Sequence, residues 1–163
     1  MPVTILRIDD RLVHGQIMHA WLQDAGAKTI LVADDAVATD ATQQMCLKLV
    51  VPGSVALVMK SVKEAAADLM ADRIEGNILA IVRNPKSALA LLEEGFFIDT
   101  INLGNISNSP SKTPRKRLLK NIFVNEEDVD CLRAIAARGV EVAIRLIPTD
   151  PPMDALDLLN KNC

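Results

Sequence analysis

Apolar residues along this 163-residue chain form short continuous runs, and amphipathic stretches lie between the runs. Continuous apolar runs are typical of strands that are buried on both faces of a sheet, whereas apolar residues spaced three and four apart indicate helices. The predicted strands are 3–8, 29–33, 55–59, 78–82, 100–103 and 140–147, with a short extended piece at 122–124. The predicted helices are 16–25, 41–50, 62–70, one opened by Asn84-Pro85 and stopped by Gly95, one that Asn125 caps and Gly139 ends, and 154–159.

This alternation of strands and helices predicts an α/β fold, a doubly wound and mostly parallel sheet with helices on both faces. The chain length and the absence of a low-complexity linker favour a single domain over residues 1–163. Functional groups of such sheets lie beyond the carboxyl ends of the strands. The segments predicted at that edge are 9–15, 34–35, 83–84 and 104–108. A polar loop is predicted from residue 104 to about residue 121, and loops of this length are usually functional or disordered.

The first of these segments concentrates reactive groups. Its sequence, with its flanks, is R-I-D-D-R-L-V-H-G-Q, residues 7–16. An imidazole at His14 can serve as a general base, a metal ligand or a phosphoryl acceptor. Arg11 can bond a phosphoryl oxygen, and Gly15 with the helix start after it lets backbone amides approach an anion. Asp9 or Asp10 can orient the imidazole or hold Arg11; the simpler alternative is a loop histidine with one ordinary hydrogen bond.

Composition narrows the class of protein. The net charge of −3 argues against a nucleic-acid partner, and the apolar runs are too short to span a membrane. The chain start does not resemble a signal peptide, which favours a cytosolic protein. Three widely spaced cysteines without a C-x-x-C pair predict neither a zinc site nor a disulfide framework. With two histidines and no glycine-rich nucleotide motif, no metal and no cofactor is expected.

The predicted polar loop carries a cluster of cations. Its members are Lys112, Arg115, Lys116, Arg117 and Lys120. Such a cluster is either a solvated charge run or a docking rim for an acidic partner, and both explanations remain open.

Residues 7–16 resemble the active-site signature of the IIB subunits of the mannose/fructose/sorbose family of the bacterial phosphoenolpyruvate-dependent sugar phosphotransferase system (PTS). Other segments agree with this family in order and spacing: 32–35, 84–85, 101–105, 124–128, 139–142 and 147–151. The resemblance covers essentially the whole chain.

The resemblance implies a phosphoryl-relay enzyme, a protein-N(π)-phosphohistidine–sugar phosphotransferase. Such a subunit accepts a phosphoryl group from a phosphorylated IIA protein and passes it to a sugar imported by the membrane subunits IIC and IID. His14 corresponds to the phosphorylated histidine, with Arg11 and Asp9 as the other catalytic residues. The residues expected to bind or support the phosphate are Asp10, Gly15, Gln16, Gly104 and Asn105. The resemblance also implies a cytoplasmic protein, peripheral to the permease, that associates as a homodimer or a larger assembly.

A second class of function is a regulatory or anion-binding protein on a similar sheet that transfers no phosphate. Asp9-Asp10 resembles the acidic pair of receiver domains, but Lys60 and Ser61 stand where a receiver needs its phosphorylatable aspartate. The intact set of His14, Arg11 and Asp9 favours the relay. The sugar stays open, because the membrane subunits contribute most of the sugar-binding site.

Overall fold

The computed structural model describes residues 4–163, so Val3, which belongs to the first predicted strand, lies outside the described residues. Seven strands form one sheet in the order β3-β2-β4-β1-β5-β8-β9, and β6 and β7 form a separate antiparallel pair. The strands are β1 Thr4–Asp9, β2 Thr29–Ala33, β3 Ala56–Lys60, β4 Ile78–Val82, β5 Thr100–Asn105, β6 Lys116–Leu119, β7 Ile122–Val124, β8 Glu141–Ile144 and β9 Met153–Asp154. All neighbours in the large sheet are parallel except β8 and β9, which confirms the predicted mostly parallel sheet.

Helices cover both faces of the sheet, as predicted. They are α1 Gly15–Ala25, α2 Asp35–Ala38, α3 Ala41–Val50, α4 Val62–Met70, α5 Pro85–Glu93, α6 Glu126–Ala137 and α7 Ala155–Asn162. Alternate residues of each strand enter different apolar clusters. In β2, for example, Leu31 belongs to the cluster that includes residues of α4 to α7, while Ile30 and Val32 belong to the cluster that includes residues of α1 to α3. This two-sided burial is the physical reason for the continuous apolar runs.

The region between residues 104 and 121 differs from the single loop that was predicted. Strand β5 continues to Asn105, and Lys116–Leu119 pairs with Ile122–Val124 as a small hairpin. Strand β6 was not predicted, because Lys116 and Arg117 are solvent-exposed and only Leu118 is buried. The segment therefore lacks the apolar run by which the other strands were recognised.

Two other short elements were not predicted, and the last predicted strand is shorter than expected. The four-residue helix α2 was not predicted; it begins where the Asp34 carboxylate accepts the Val37 N–H. The last predicted strand, 140–147, stops at Ile144, and the two-residue strand β9 at Met153–Asp154 pairs with its end. Elements this short carry too few residues to show a period.

Strand β1 lies in the middle of the sheet, between β4 and β5. Its carboxyl end is therefore flanked on both sides: Ile8 pairs with Val82 of β4, and Asp9 pairs with Asn105 of β5. The turn that follows β1 is consequently held between two neighbouring strand ends before α1 begins at Gly15.

Candidate active site

The turn between β1 and α1 has a tightly defined backbone. Its amides bond to strand ends, with Leu12 N–H donating to the Asp9 carbonyl at 3.0 Å and Asp10 N–H donating to the Asn105 carbonyl at 3.1 Å. Leu12 has a left-handed φ of 59°, a conformation that costs a non-glycine residue about 1–2 kcal/mol. Its side chain is 1% exposed, so burial offsets that cost. The turn therefore holds His14 at the start of α1.

Asp9 binds the reactive side chains of this turn together. Its Oδ2 atom lies 2.8 Å from His14 Nε2. Arg11 donates to both carboxylate oxygens, from Nε at 3.1 Å and from Nη2 at 3.1 Å, and its backbone N–H adds a bond of 3.0 Å. Asp9 thus both orients the imidazole and holds Arg11, two roles that the sequence left open between Asp9 and Asp10.

The carboxylate of Asp9 is ionised well below neutral pH. Burial by itself would raise its pKa, but hydrogen bonds from His14 and Arg11, together with the positive charge of Arg7, lower the pKa to about 2. An ionised carboxylate has only acceptor atoms, so the proton in the contact with His14 belongs to Nε2.

Beneath Asp9 lies a fully buried cation, Arg7, to which the sequence analysis assigned no role. Its Nη2 atom donates to Asp9 Oδ2 at 3.3 Å, and its Nη1 atom donates to the side-chain oxygen of Asn102 and to the Arg145 carbonyl at 3.1 Å. The guanidinium carbon also lies 5.1 Å from the centroid of the Trp21 ring. Burial lowers the pKa of Arg7 to about 10, so the group remains charged at neutral pH. The sequence did contain a signal for this role, because a charged residue inside an apolar strand is rarely buried without a partner.

Gly104 packs directly against this buried guanidinium. A Cβ atom at Gly104 would lie 2.2 Å from the Cζ atom of Arg7, closer than any real contact. A role of Gly104 in supporting the phosphate stays a prediction, and the structure adds a packing role against the buried Arg7.

We expect Gly104→Ala to destabilise the protein by about 1–3 kcal/mol, the usual cost of forcing an extra methyl group into a filled interior. The guanidinium must move, and moving it disturbs its bond to Asp9. Denaturant titration measures the effect, with Gly53→Ala as the matched control, since a Cβ at Gly53 would meet nothing within 4 Å. Equal stability of the two variants would contradict the packing role.

Asp10 and Asn105 join the ends of β1 and β5. The Asp10 carboxylate accepts bonds from Asn105 Nδ2 at 2.8 Å, Ser107 N at 2.7 Å and Ser107 Oγ at 3.0 Å. These bonds fix the start of the turn that carries His14 to the end of β5.

The amino end of α1 is open to an anion. His14 occupies the cap position with extended backbone, makes no capping bond with its side chain, and is followed by a first turn without acidic residues. In the other helices of residues 4–163, a side-chain oxygen accepts a backbone N–H at the cap; these caps are Asp34, Asp40, Ser61, Asn84, Asn125 and Asp154. Gly15, with a φ of 34°, and Gln16 are both exposed at this end. A helix end with free amides is a favourable site for phosphate.

Two of the loop cations have partners in the structure. Arg115 is mostly buried and donates to Asp128 Oδ2 at 2.9 Å, to the Ser109 carbonyl at 2.8 Å and to the Phe123 carbonyl at 3.0 Å. The Lys116 ammonium bonds the Asn162 carbonyl. Arg115 therefore secures the hairpin. A docking role is left to the remaining cations of the cluster, Lys112, Arg117 and Lys120.

Comparisons with known proteins identify the family of this chain. The sequence model of the PTS system sorbose subfamily IIB component family matches residues 3–163. The chain is 31% identical over 160 residues to the N-acetylgalactosamine-specific phosphotransferase enzyme IIB component 2 of Escherichia coli K12, covering 98% of this chain and 100% of that one. It is 29% identical over 162 residues to the mannose-specific EIIAB component of the same strain, covering 99% of this chain and 49% of that one.

A solved structure agrees over the same length. The IIBSor domain of the sorbose permease from Klebsiella pneumoniae superposes with a TM-score of 0.89 at 28% identity, covering 100% of this chain and 99% of that one. The fold and site define a IIB-type phosphotransferase domain. The chain belongs to the sorbose-subfamily IIB component family of the PTS, and it is a phosphoryl-relay subunit of a sugar phosphotransferase system. Among residues 4–163, no helix is both long and apolar enough to cross a membrane.

Proposed function

We propose that His14 accepts the phosphoryl group of a phosphorylated IIA protein on its Nδ1 atom. The observation that carries this proposal is the 2.8 Å contact between His14 Nε2 and Asp9 Oδ2. Because the ionised Asp9 requires a proton on Nε2, the lone pair of the neutral imidazole is on Nδ1. The His14 side chain is 20% exposed, so a donor can reach that atom.

The transfer needs no proton to move. The Nδ1 lone pair of His14 attacks phosphorus, an Nδ1–P bond forms, and the N–P bond of the donor histidine breaks with its electron pair returning to the donor ring. The phosphorylated imidazole then carries positive charge, which the Asp9 carboxylate offsets through Nε2–H.

Charge on the phosphoryl oxygens is offset from two sides. Arg11 is held by Asp9 on one side, and the uncapped amides of α1 lie on the other. Arg7 and Arg11 both bind Asp9, and their two positive charges balance the carboxylates of Asp9 and Asp10 before phosphorylation. Phosphoryl transfer depends mostly on such positioning and charge stabilisation.

We further propose that the same phosphoryl group passes to a sugar carried by the membrane subunits IIC and IID. In that step a sugar hydroxyl attacks phosphorus, and the Nδ1–P bond of His14 breaks with its electron pair returning to the ring. The names of the relatives cover N-acetylgalactosamine, mannose and sorbose, and the proposal extends to no particular sugar. The EIIAB name of the mannose relative supports the link to IIA. Self-association stays a prediction.

Incubation with phosphoenolpyruvate, the general phosphocarrier proteins and a matched IIA tests the proposal. The chain is expected to gain one acid-labile phosphate on His14, and a sugar with IIC and IID should discharge it. A regulatory or anion-binding protein would gain no phosphate or an aspartyl phosphate, and that result would overturn the relay.

Arg11→Ala should slow transfer from phospho-IIA by about one or more powers of ten, the scale of losing one preorganised donor. The side chain is 37% exposed and contacts Asp9 alone among the described side chains, so folding should change little. Quench-flow transfer rates and thermal unfolding measure the two quantities, with Arg133→Ala on the surface of α6 as the control. Equal transfer rates in folded Arg11→Ala and wild type would refute a role for Arg11 in the reaction.

A further inference from the structure

Helix α3 presents an apolar surface to solvent. Met45 is 65% exposed, Leu49 is 81% exposed and Val50 is 51% exposed, and these three residues are named here the α3 apolar face. Met45 and Leu49 are four residues apart, so they lie on one side of the helix. Leu47, the one buried residue of α3, lies on the opposite side and anchors the helix to the sheet. The exposed residues are therefore not needed to hold α3 in place.

Exposed large apolar residues are concentrated here. The described chain exposes seven: Met45, Leu49, Val50, Met70, Phe97, Leu146 and Met153. Three of the seven are on one ten-residue helix, whereas the other four lie singly on separate segments. Single exposed apolar residues are ordinary, but a cluster indicates a contact surface.

The α3 apolar face is continuous with the candidate active site. A small groove begins at His14, and its floor is apolar, with Val13, Met18 and Leu22 buried. Val50 of the α3 apolar face and Pro52 line the same groove, and Gln16 and His19 are its polar lining residues apart from His14. The groove thus connects the surroundings of His14 with Val50, the member of the α3 apolar face nearest to the imidazole along this groove.

We infer that the α3 apolar face and this groove dock the phosphorylated IIA protein; the inference rests on the proposed function. A donor histidine must come within bonding distance of His14, so the donor surface around it must cover the residues that flank His14. The flank toward Arg11 is charged, while the flank toward Val50 is apolar. The cores of protein interfaces are depleted in charge and enriched in methionine, and the α3 apolar face, with Met45, Leu49 and Val50, carries no charge. The donor of this inference is a folded domain with an apolar surface beside its phosphohistidine.

The test compares two phosphodonors on single charge insertions. Leu49→Glu and Met45→Glu should each lower kcat/KM for transfer from phospho-IIA by about tenfold or more, mainly through KM, because a charge in the centre of an interface weakens binding. Labelling of His14 by phosphoramidate, a small donor that needs no docking, should be unchanged. Phe97→Glu is the matched control: it is 68% exposed and precedes the amino end of β5, away from His14. It should leave both rates unchanged.

Each other outcome overturns a defined claim. If wild type takes label from phospho-IIA and Leu49→Glu does so equally well, the docking inference is wrong. A defect confined to sugar phosphorylation would assign the face to the membrane subunits. An unchanged transfer rate with loss of a dimer in sedimentation would assign the face to a second copy of this chain. If no IIA labels wild type, although phosphoramidate labels His14, the proposed function itself fails.

Discussion

His14→Ala is expected to take up no phosphoryl group from phospho-IIA and to retain the folded state. The reason is that Nδ1 of this imidazole is the proposed nucleophile, and alanine offers no atom in its place. The side chain makes one hydrogen bond to protein, to Asp9, so its removal leaves the sheet and α1 intact. Radiolabel transfer at saturating phospho-IIA measures the loss, and circular dichroism measures the fold.

His19→Ala is the matched control for that experiment. His19 is exposed on α1, five residues from His14, and the structure gives it no contact with Asp9 or Arg11. Because His19 also lines the groove proposed to dock IIA, the comparison uses the extent of labelling at saturating phospho-IIA, and His19→Ala should still take up one phosphate. Normal labelling of His14→Ala would remove His14 from the relay, and loss of labelling in His19→Ala instead would move the assignment to His19.

Asp9→Asn has the second largest expected effect, on both stability and transfer. Asparagine has nearly the same shape but no charge, so the fully buried Arg7 loses its carboxylate partner. Removing one partner of a buried ion pair costs about 3–5 kcal/mol. The imidazole also loses its acceptor-only partner, because an amide can present either its oxygen or its NH2 group to Nε2, and transfer should slow by about a hundredfold through loss of positioning. Denaturant titration and transfer rates measure the two effects.

A nitrogen-15 NMR spectrum of His14 separates positioning from simple destabilisation. In wild type the Nε2–H tautomer should dominate, and in Asp9→Asn the two tautomers should mix. Asp24→Asn, an exposed carboxylate on α1, should change neither the spectrum nor the stability. A wild-type tautomer in folded Asp9→Asn would contradict the positioning role of Asp9.

The acid dependence of stability checks the same contact. The pKa of Asp9 is about 2 in the folded protein, below its usual value of 3.8. A depressed carboxyl pKa contributes stability that is present above the unfolded-state value and is lost as the pH falls toward 2. Wild type should therefore lose more unfolding free energy between pH 4 and pH 2 than Asp9→Asn does. If the unfolding free energies of the two proteins fell in parallel with pH, the Asp9 carboxylate would not be the source of the acid-dependent stability.

The central site was predictable because its residues are close in sequence. Asp9, Arg11 and His14 lie within six positions, and a strand followed directly by a helix brings such residues to one turn whatever the rest of the chain does. The role of Arg7 was not predictable in the same way. Its partner Asn102 is 95 residues away, and the two meet because β1 and β5 pair with Arg7 opposite Asn102.

The role of Gly104 shows the same limit. From the sequence, Gly104 was interpreted as a glycine at a strand end that lets the backbone approach a phosphate. In the structure it lies two residues beyond Asn102 on the same face of β5, directly over the Arg7 guanidinium. Only the pairing of two distant strands decides whether a glycine faces a ligand or a buried side chain.

The sequence by itself determined the order of the main helices and strands, the parallel sheet and the turn that carries His14, because each depends on local spacing of apolar and polar residues. The tertiary structure decided three further matters: which carboxylate orients the imidazole, that a buried Arg7 lies beneath it, and that Arg115 is held by Asp128 in place of facing a partner. These contacts join residues from different strands and helices, and their free energy depends on burial and on the pairing of charges that no local pattern records.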